Sequence, residues 1–250
     1  MFVVVLGVSV AVCWAIILSV RALMPRIGFP LNDTPPVRDS IIGACTTIFG
    51  LIVAFSAAGI WNDAIAARNA VQREADSVEN AMVLSTGLPA DMRIAVRNHL
   101  AAYIDDVVTV DWPAMADEAG FGDPAFKKSE RVLVDTIRLL SAKETSLGQV
   151  APYVPLLGQL LEIRHARAAR LAAANAGMSW AQWIAIMIKS TTALTAIAIC
   201  NAQTLRMQVV ATHLFALVVS AAYFAILAHD RPFVGRIALT PSALASIHFD

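Results

Sequence analysis

No charged residue occurs between Met1 and Val20, and about 20 helical residues cover the roughly 30 Å of a bilayer's hydrocarbon core. This predicts a first membrane span. A secretory signal peptide fits less well, because the stretch has neither a basic start nor a small-residue cleavage site. Two further uncharged stretches of 23 residues, Ser40 to Asn62 and Met207 to His229, predict the second and fourth spans. The third runs from about Met178 to Cys200, opened by Trp180 and Trp183, whose amphipathic rings suit the headgroup level. Only Lys189 interrupts it.

After Trp61 the apolar pattern becomes periodic. Ala64, Val71, Ala75, Val78 and Met82 recur at helical spacing with polar residues between them, the mark of an amphipathic helix. Gly87 and Pro89 should end it. Further helices are predicted from about Ala90 to Val110, closed by Trp112-Pro113, then from Pro124 to Ala142, and from Val150 to Ala176, whose Ala-rich end leads towards span three. Pro25, Pro30, Pro35 and Pro36 predict an irregular link between spans one and two. No strand-like alternation occurs. The fold class is therefore all-α: four membrane spans with a long helical insert between spans two and three. The organisation is a transmembrane hairpin over residues 1–62, the insert over 63–177, a second hairpin over 178–229 and a tail over 230–250.

Composition sharpens this reading. The chain is 58% apolar and 15% charged, outside the usual range for a soluble protein. The insert holds 12 Lys/Arg and 15 Asp/Glu, so 27 of the 38 charges fall on 115 of the 250 residues. Its net charge, 12 minus 15, is −3, which gives no basic surface for nucleic acid. Near the membrane ends the insert side carries Arg68, Arg73, Arg164, Arg167, Arg170, Arg231 and Arg236, against Arg21, Arg26, Arg38 and Arg206 on the other. Seven against four favours cytoplasmic termini and a cytoplasmic insert. Cys13, Cys45 and Cys200 fall in or beside spans without paired spacing, and His99, His165, His213, His229 and His248 are scattered. Neither a metal site nor a cofactor is expected. Glycine-loop and nucleophile-elbow motifs are also missing, which argues against an enzyme.

Several constellations could carry function. In span two, Gly43, Thr47, Gly50, Ala54 and Ala57 form a small-residue stripe, and Phe49, Val53, Ser56 and Ile60 form a second line. Both could pack inside one bundle. Alternatively, the stripe meets neighbouring subunits, since small residues let helices approach closely in lipid, while the other line forms an apolar constriction that gates by dewetting. Lys189 has no acidic partner in any span. It is either a functional charge or a snorkelling one. Arg164, Arg167 and Arg170 form either an anion-attracting collar or a solvated stripe.

The run Phe49-Gly50-Leu51-Ile52-Val53-Ala54-Phe55 leading to Trp61, the helix from Ala64 to Glu74, Trp112-Pro113, and the exit Asp230-Arg231-Pro232-Phe233-x-Gly235 together resemble the bestrophin-like family of bacterial membrane proteins. The resemblance covers nearly the whole chain. It implies two spans, a cytosolic insert, two more spans and a cytosolic tail, in a homopentameric anion channel of the inner membrane that passes ions such as chloride. The apolar neck is then carried by Phe49, Val53, Ser56 and Ile60. No acidic cluster like a calcium clasp is present, so calcium gating is not implied. The alternative is a non-conducting scaffold or sensor whose insert binds a partner protein.

Overall fold

A computed structural model describes residues 2–27, 35–120, 122–142, 152–235 and 237–248, with backbone alone for Phe2 and 35–39. Among these residues the protein is helical, without strands. The order is α1 (Phe2–Ile27), α2 (Pro35–Ser85), α3 (Ala90–Asp106), a π-helical turn (Val107–Asp111), α4 (Trp112–Ala116), a 3-10 turn (Pro124–Phe126), α5 (Lys127–Ser141), α6 (Tyr153–Ala174), α7 (Trp180–Cys200), α8 (Leu205–His229) and α9 (Ser242–Ala245). Four helices are long and apolar enough to cross a membrane: Val3–Ile27, Ser40–Ser85, Trp180–Cys200 and Leu205–His229. The chain divides into two compact units, Met1–Trp61 with Met178–Asp230, and Asn62–Gly177 with Arg231–Asp250.

The first unit holds the spans. Its interior is a series of thin apolar layers: Val20 and Met24 with Ala198 and Ala202, then Cys13 with Leu194 and Ala216, then Phe49 with Ala193 and Val219, then Ile60 with Ile186 and Ile226. Polar bonds join the helices as well. Arg21 Nε donates to Gln208 Oε1 at 2.8 Å, and the buried Gln208 donates from Nε2 to the Ala198 carbonyl at 2.9 Å. One bridge thus ties α1, α7 and α8. α7 opens on a capping box: Ser179 Oγ accepts from Gln182 N, and Gln182 Oε1 accepts from Ser179 N. The preceding Met178 N donates to Asp230 Oδ1 at 2.7 Å.

The second unit buries a single core of Val78, Val96, Leu100, Leu133, Leu140, Leu156, Leu160 and Ile163, which Phe233, Leu244 and Ile247 of the tail also enter. Gly87 lies where α2 gives way to α3, and a Cβ there would come within 2.6 Å of Pro152 Cγ. Trp112-Pro113 does not close α3. Pro113 has no N–H to give the Thr109 carbonyl, and the ladder widens instead, with Trp112 N bonding back to Val107 O. The helix then resumes with Pro113 in its first turn and ends where Glu118 takes φ 59°. α6 also stops before span three, at Ala174, where Asn175 Nδ2 donates to the Leu171 carbonyl. The predicted start of that helix at Val150, and Pro30 in the first link, lie outside the described residues.

Candidate functional site

The membrane unit places the two lines of α2 differently. Phe49 and Ile60 are 4% and 5% exposed, each packed against α7 and α8 of the same protomer. Val53 and Ser56 are half-buried on that side. The line expected at a neck is therefore the line on which α2 docks into its own bundle. Apolarity could not separate the two faces, because in lipid an outward residue is as apolar as an inward one.

Gly43, Thr47, Gly50, Ala54 and Ala57 are all exposed, and nothing lies within 4 Å of a Cβ placed on Gly43 or Gly50. One residue on, about 100° around the helix, run the large exposed side chains Ile48, Leu51 and Phe55, the last 69% exposed. Only 6% of the apolar window of α2 is buried, against 33% for α7 and 28% for α8. Of the four helices that could cross a membrane, α2 has the smallest buried share.

Lys189 lies on α7 between Ile186, which meets Ile60, and Ala193, which meets Phe49. Helical spacing puts it on the α2 side of α7, level with the middle of that stretch. It is half-exposed and, among the described residues, makes no ion pair.

In the second unit the arginine collar is replaced by a closed network. Arg170 is fully buried: Nε donates to Glu74 Oε2 at 2.6 Å, and Nη2 donates to Glu74 Oε1 at 3.0 Å and Asp111 Oδ2 at 3.3 Å. Its guanidinium lies 5.5 Å from the Trp112 ring centroid. Arg167, 5% exposed, lies 3.5 Å from Asp111 Oδ2 and donates to Ser129 Oγ and the Phe126 carbonyl. Ser129 donates to Asp111 at 3.0 Å, and Tyr103 donates to Glu74 Oε1. Two guanidinium groups thus face two carboxylates, which is what burial of such charges requires.

Burial alone would lower Arg170's affinity for its proton, but the charge and hydrogen bonds of Glu74 outweigh it and raise it. Burial holds the Asp111 carboxyl above the ordinary aspartate range against the pull of Arg170 and Arg167. Burial and the neighbouring Glu74 keep the Tyr103 phenol protonated well beyond its usual range. Only Arg164 of the three arginines is open, at 3.9 Å from Glu130. Arg167 and Arg170 are therefore buried and paired inside the unit.

Glu74, Tyr103, Asp111 and Ser129 are the residues the pattern reading missed. One signal was available: Glu74 falls on the apolar stripe between Val71 and Val78, where a lone carboxylate needs a partner.

The exit motif divides its work. Asp230 caps the approach to α7 through Met178 N. Arg231 lies 3.9 Å from Glu118 and so close to Gly177 that a Cβ there would be 3.1 Å from its Nε. The Pro232 carbonyl accepts from Leu239 N at 2.8 Å, and Phe233 meets the edge of Trp112, whose Nε1 donates to the Leu239 carbonyl at 3.1 Å. The two sequence motifs, Trp112-Pro113 and Arg231-Pro232-Phe233, fasten the tail to the insert core. Among the described residues no cluster of three metal-ligating side chains forms.

The structure is similar to a variant of a bacterial bestrophin homologue from Klebsiella pneumoniae, at 12% identity and TM-score 0.71, over 97% of this chain and 94% of that one. Another structure of the Klebsiella pneumoniae homologue matches at 12% identity and TM-score 0.71, over 98% and 94%. A protein described as a membrane protein matches at 12% identity and TM-score 0.72, over 97% and 94%. At such identity the likeness is one of fold. No curated protein matches the sequence. Residues 7–244 match the bestrophin-like domain, and the chain belongs to the bestrophin-like family of membrane proteins.

Proposed function

We propose that the protein is the subunit of a homo-oligomeric ion channel of the bacterial inner membrane, pentameric and anion-selective, with α2 around the pore and the insert and tail in the cytoplasm. Family membership supports the channel class. The observation that carries the assembly is the uncovered face of α2. The stripe from Gly43 to Ala57 offers neighbouring protomers a surface that backbones can approach closely. The adjoining Ile48, Leu51 and Phe55 supply the apolar constriction in place of Phe49 and Ile60, since a pore-lining side chain has to be open in the protomer. Lys189 sets the sign of the ion, with Arg164 as a secondary contributor, because Arg167 and Arg170 are already paired.

The decisive test is the mass of the detergent-purified particle, measured together with Gly50→Leu. Nothing in the protomer opposes a side chain at Gly50, so the variant should fold normally and lose assembled mass. A monomeric wild type, or a variant assembled as firmly as the wild type, would remove this reading. Wild-type protein that assembles but carries no chloride in vesicles would favour a scaffold.

A further inference from the structure

A groove of about 290 Å³ runs between α1, α7 and α8 of the membrane unit. On α7 it extends from Trp183 through Met187 to Leu194, and on α1 from Val4 through Val8 to Val12. From Trp183 to Leu194 the helix rises eleven steps, about 16 Å, roughly half the 30 Å hydrocarbon thickness. The groove therefore spans one leaflet. Its outer end is aromatic, with Trp183 stacked on Tyr223 at 6.2 Å, as suits the membrane interface.

Of the hydroxyl side chains in the wall, Ser190 and Tyr223 are bonded to each other, and Ser9 and Thr191 are the other two. Ser190 Oγ donates to the Met187 carbonyl at 3.0 Å, so its bond with Tyr223, also 3.0 Å, uses the tyrosine's proton. Val4, Val8 and Met187 are 68%, 59% and 57% exposed, which leaves the groove open along its side.

We propose that this groove holds one acyl chain of a phospholipid from the leaflet on the insert side, with its glycerol end at Trp183 and Tyr223 and its methyl end near Leu194. Three observations support that occupant: the groove is one leaflet deep, its lining is uncharged and mainly apolar, and its aromatic end lies where the chain meets the headgroup region.

The test uses the full-length protein in phosphatidylglycerol vesicles containing spin-labelled phosphatidylglycerol, counting motionally restricted lipids per protomer. Val8→Trp and Thr191→Phe fill the groove from opposite walls. Val3→Trp, exposed but outside the groove, is the control. Each filled variant should lose about one restricted lipid per protomer, and Val3→Trp should lose none. Unchanged counts in both filled variants overturn the proposal. So does a loss of assembled mass at constant lipid count, because a second copy of the chain would then be the occupant. Two filled variants guard against misfolding of either one.

Discussion

Arg170 and Glu74 form a bidentate pair at 2.6 and 3.0 Å across 96 residues of sequence, both fully buried. Removing one partner leaves the other charged in a medium that cannot solvate it, at a typical cost of about 3–5 kcal/mol. Glu74→Gln or Arg170→Met should each show this in denaturation of the detergent-solubilised protein. The double variant Glu74→Met/Arg170→Met should recover much of the loss, since it removes the buried charges along with their attraction. If the double variant is as unstable as the sum of the singles, the pair is not an isolated electrostatic unit.

Asp111 gives this network a pH dependence. Its carboxyl binds a proton more tightly in the folded chain than in the unfolded one. Between the ordinary aspartate value and the raised one the native state holds more protons, so stability falls as pH rises through that window and levels off above it. Asp111→Asn has no such titration. Thermal midpoints taken from acid to neutral pH should fall more steeply for the wild type than for the variant. Parallel curves would mean that Asp111 does not titrate in this range.

Much of the architecture was legible because it rests on local signals. Charge-free runs located the spans, and Asp230-Arg231-Pro232 ended the last one where α8 stops, at His229. Ser179 and Gln182 supply a local capping signal at the start of α7. The charge network was not legible, since Arg170 meets Glu74 and Asp111 from 96 and 59 residues away and helical spacing says nothing about partners so distant. Nor could spacing tell which face of α2 packs inward, because both lines repeat with the same period and Phe49 is no more apolar than Phe55. The π-helical turn at Val107–Asp111 escaped for a different reason. A proline is read as a stop, whereas here the ladder shifts by one residue and the helix continues.

Phe49 and Phe55 separate packing from gating on a single helix. Phe49→Ala empties a layer shared with Ala193 and Val219, and deleting a buried phenyl ring typically costs about 3–5 kcal/mol. Phe55 is open in the protomer, so Phe55→Ala should leave protomer stability nearly unchanged and raise conductance in vesicles. Conductance raised by Phe49→Ala at unchanged stability, with Phe55→Ala silent, would return the constriction to the inner line.

Topology can be read without any assumption about conduction. In a background with Cys13, Cys45 and Cys200 replaced by Ala, Ser141→Cys in the insert and Thr204→Cys in the link between α7 and α8 occupy exposed sites. An impermeant maleimide applied to intact cells should modify the Thr204 site alone, and the Ser141 site only after lysis. Labelling of Ser141 in intact cells would reverse the orientation drawn from the arginine bias.

Ion choice depends on Lys189. An assembly of n protomers carries n such charges, and residues 3–27, 40–62, 180–200 and 205–229 hold no Asp or Glu to cancel the field. A ring of cations near a water-filled path favours anions. Lys189 is half-exposed on α7, level with the middle of the apolar stretch of α2, and a charge at that depth is poorly screened by water. Under a chloride gradient the wild type should therefore show a reversal potential near that of chloride, and Lys189→Glu should move it towards the cation value. Lys189→Gln should fall between the two, which separates loss of charge from loss of packing. Arg164→Gln, outside the spans and already near Glu130, should shift it little. A wild type selective for potassium, or a reversal potential indifferent to all three substitutions, would exclude Lys189 as the selectivity charge while leaving the α2 constriction in place.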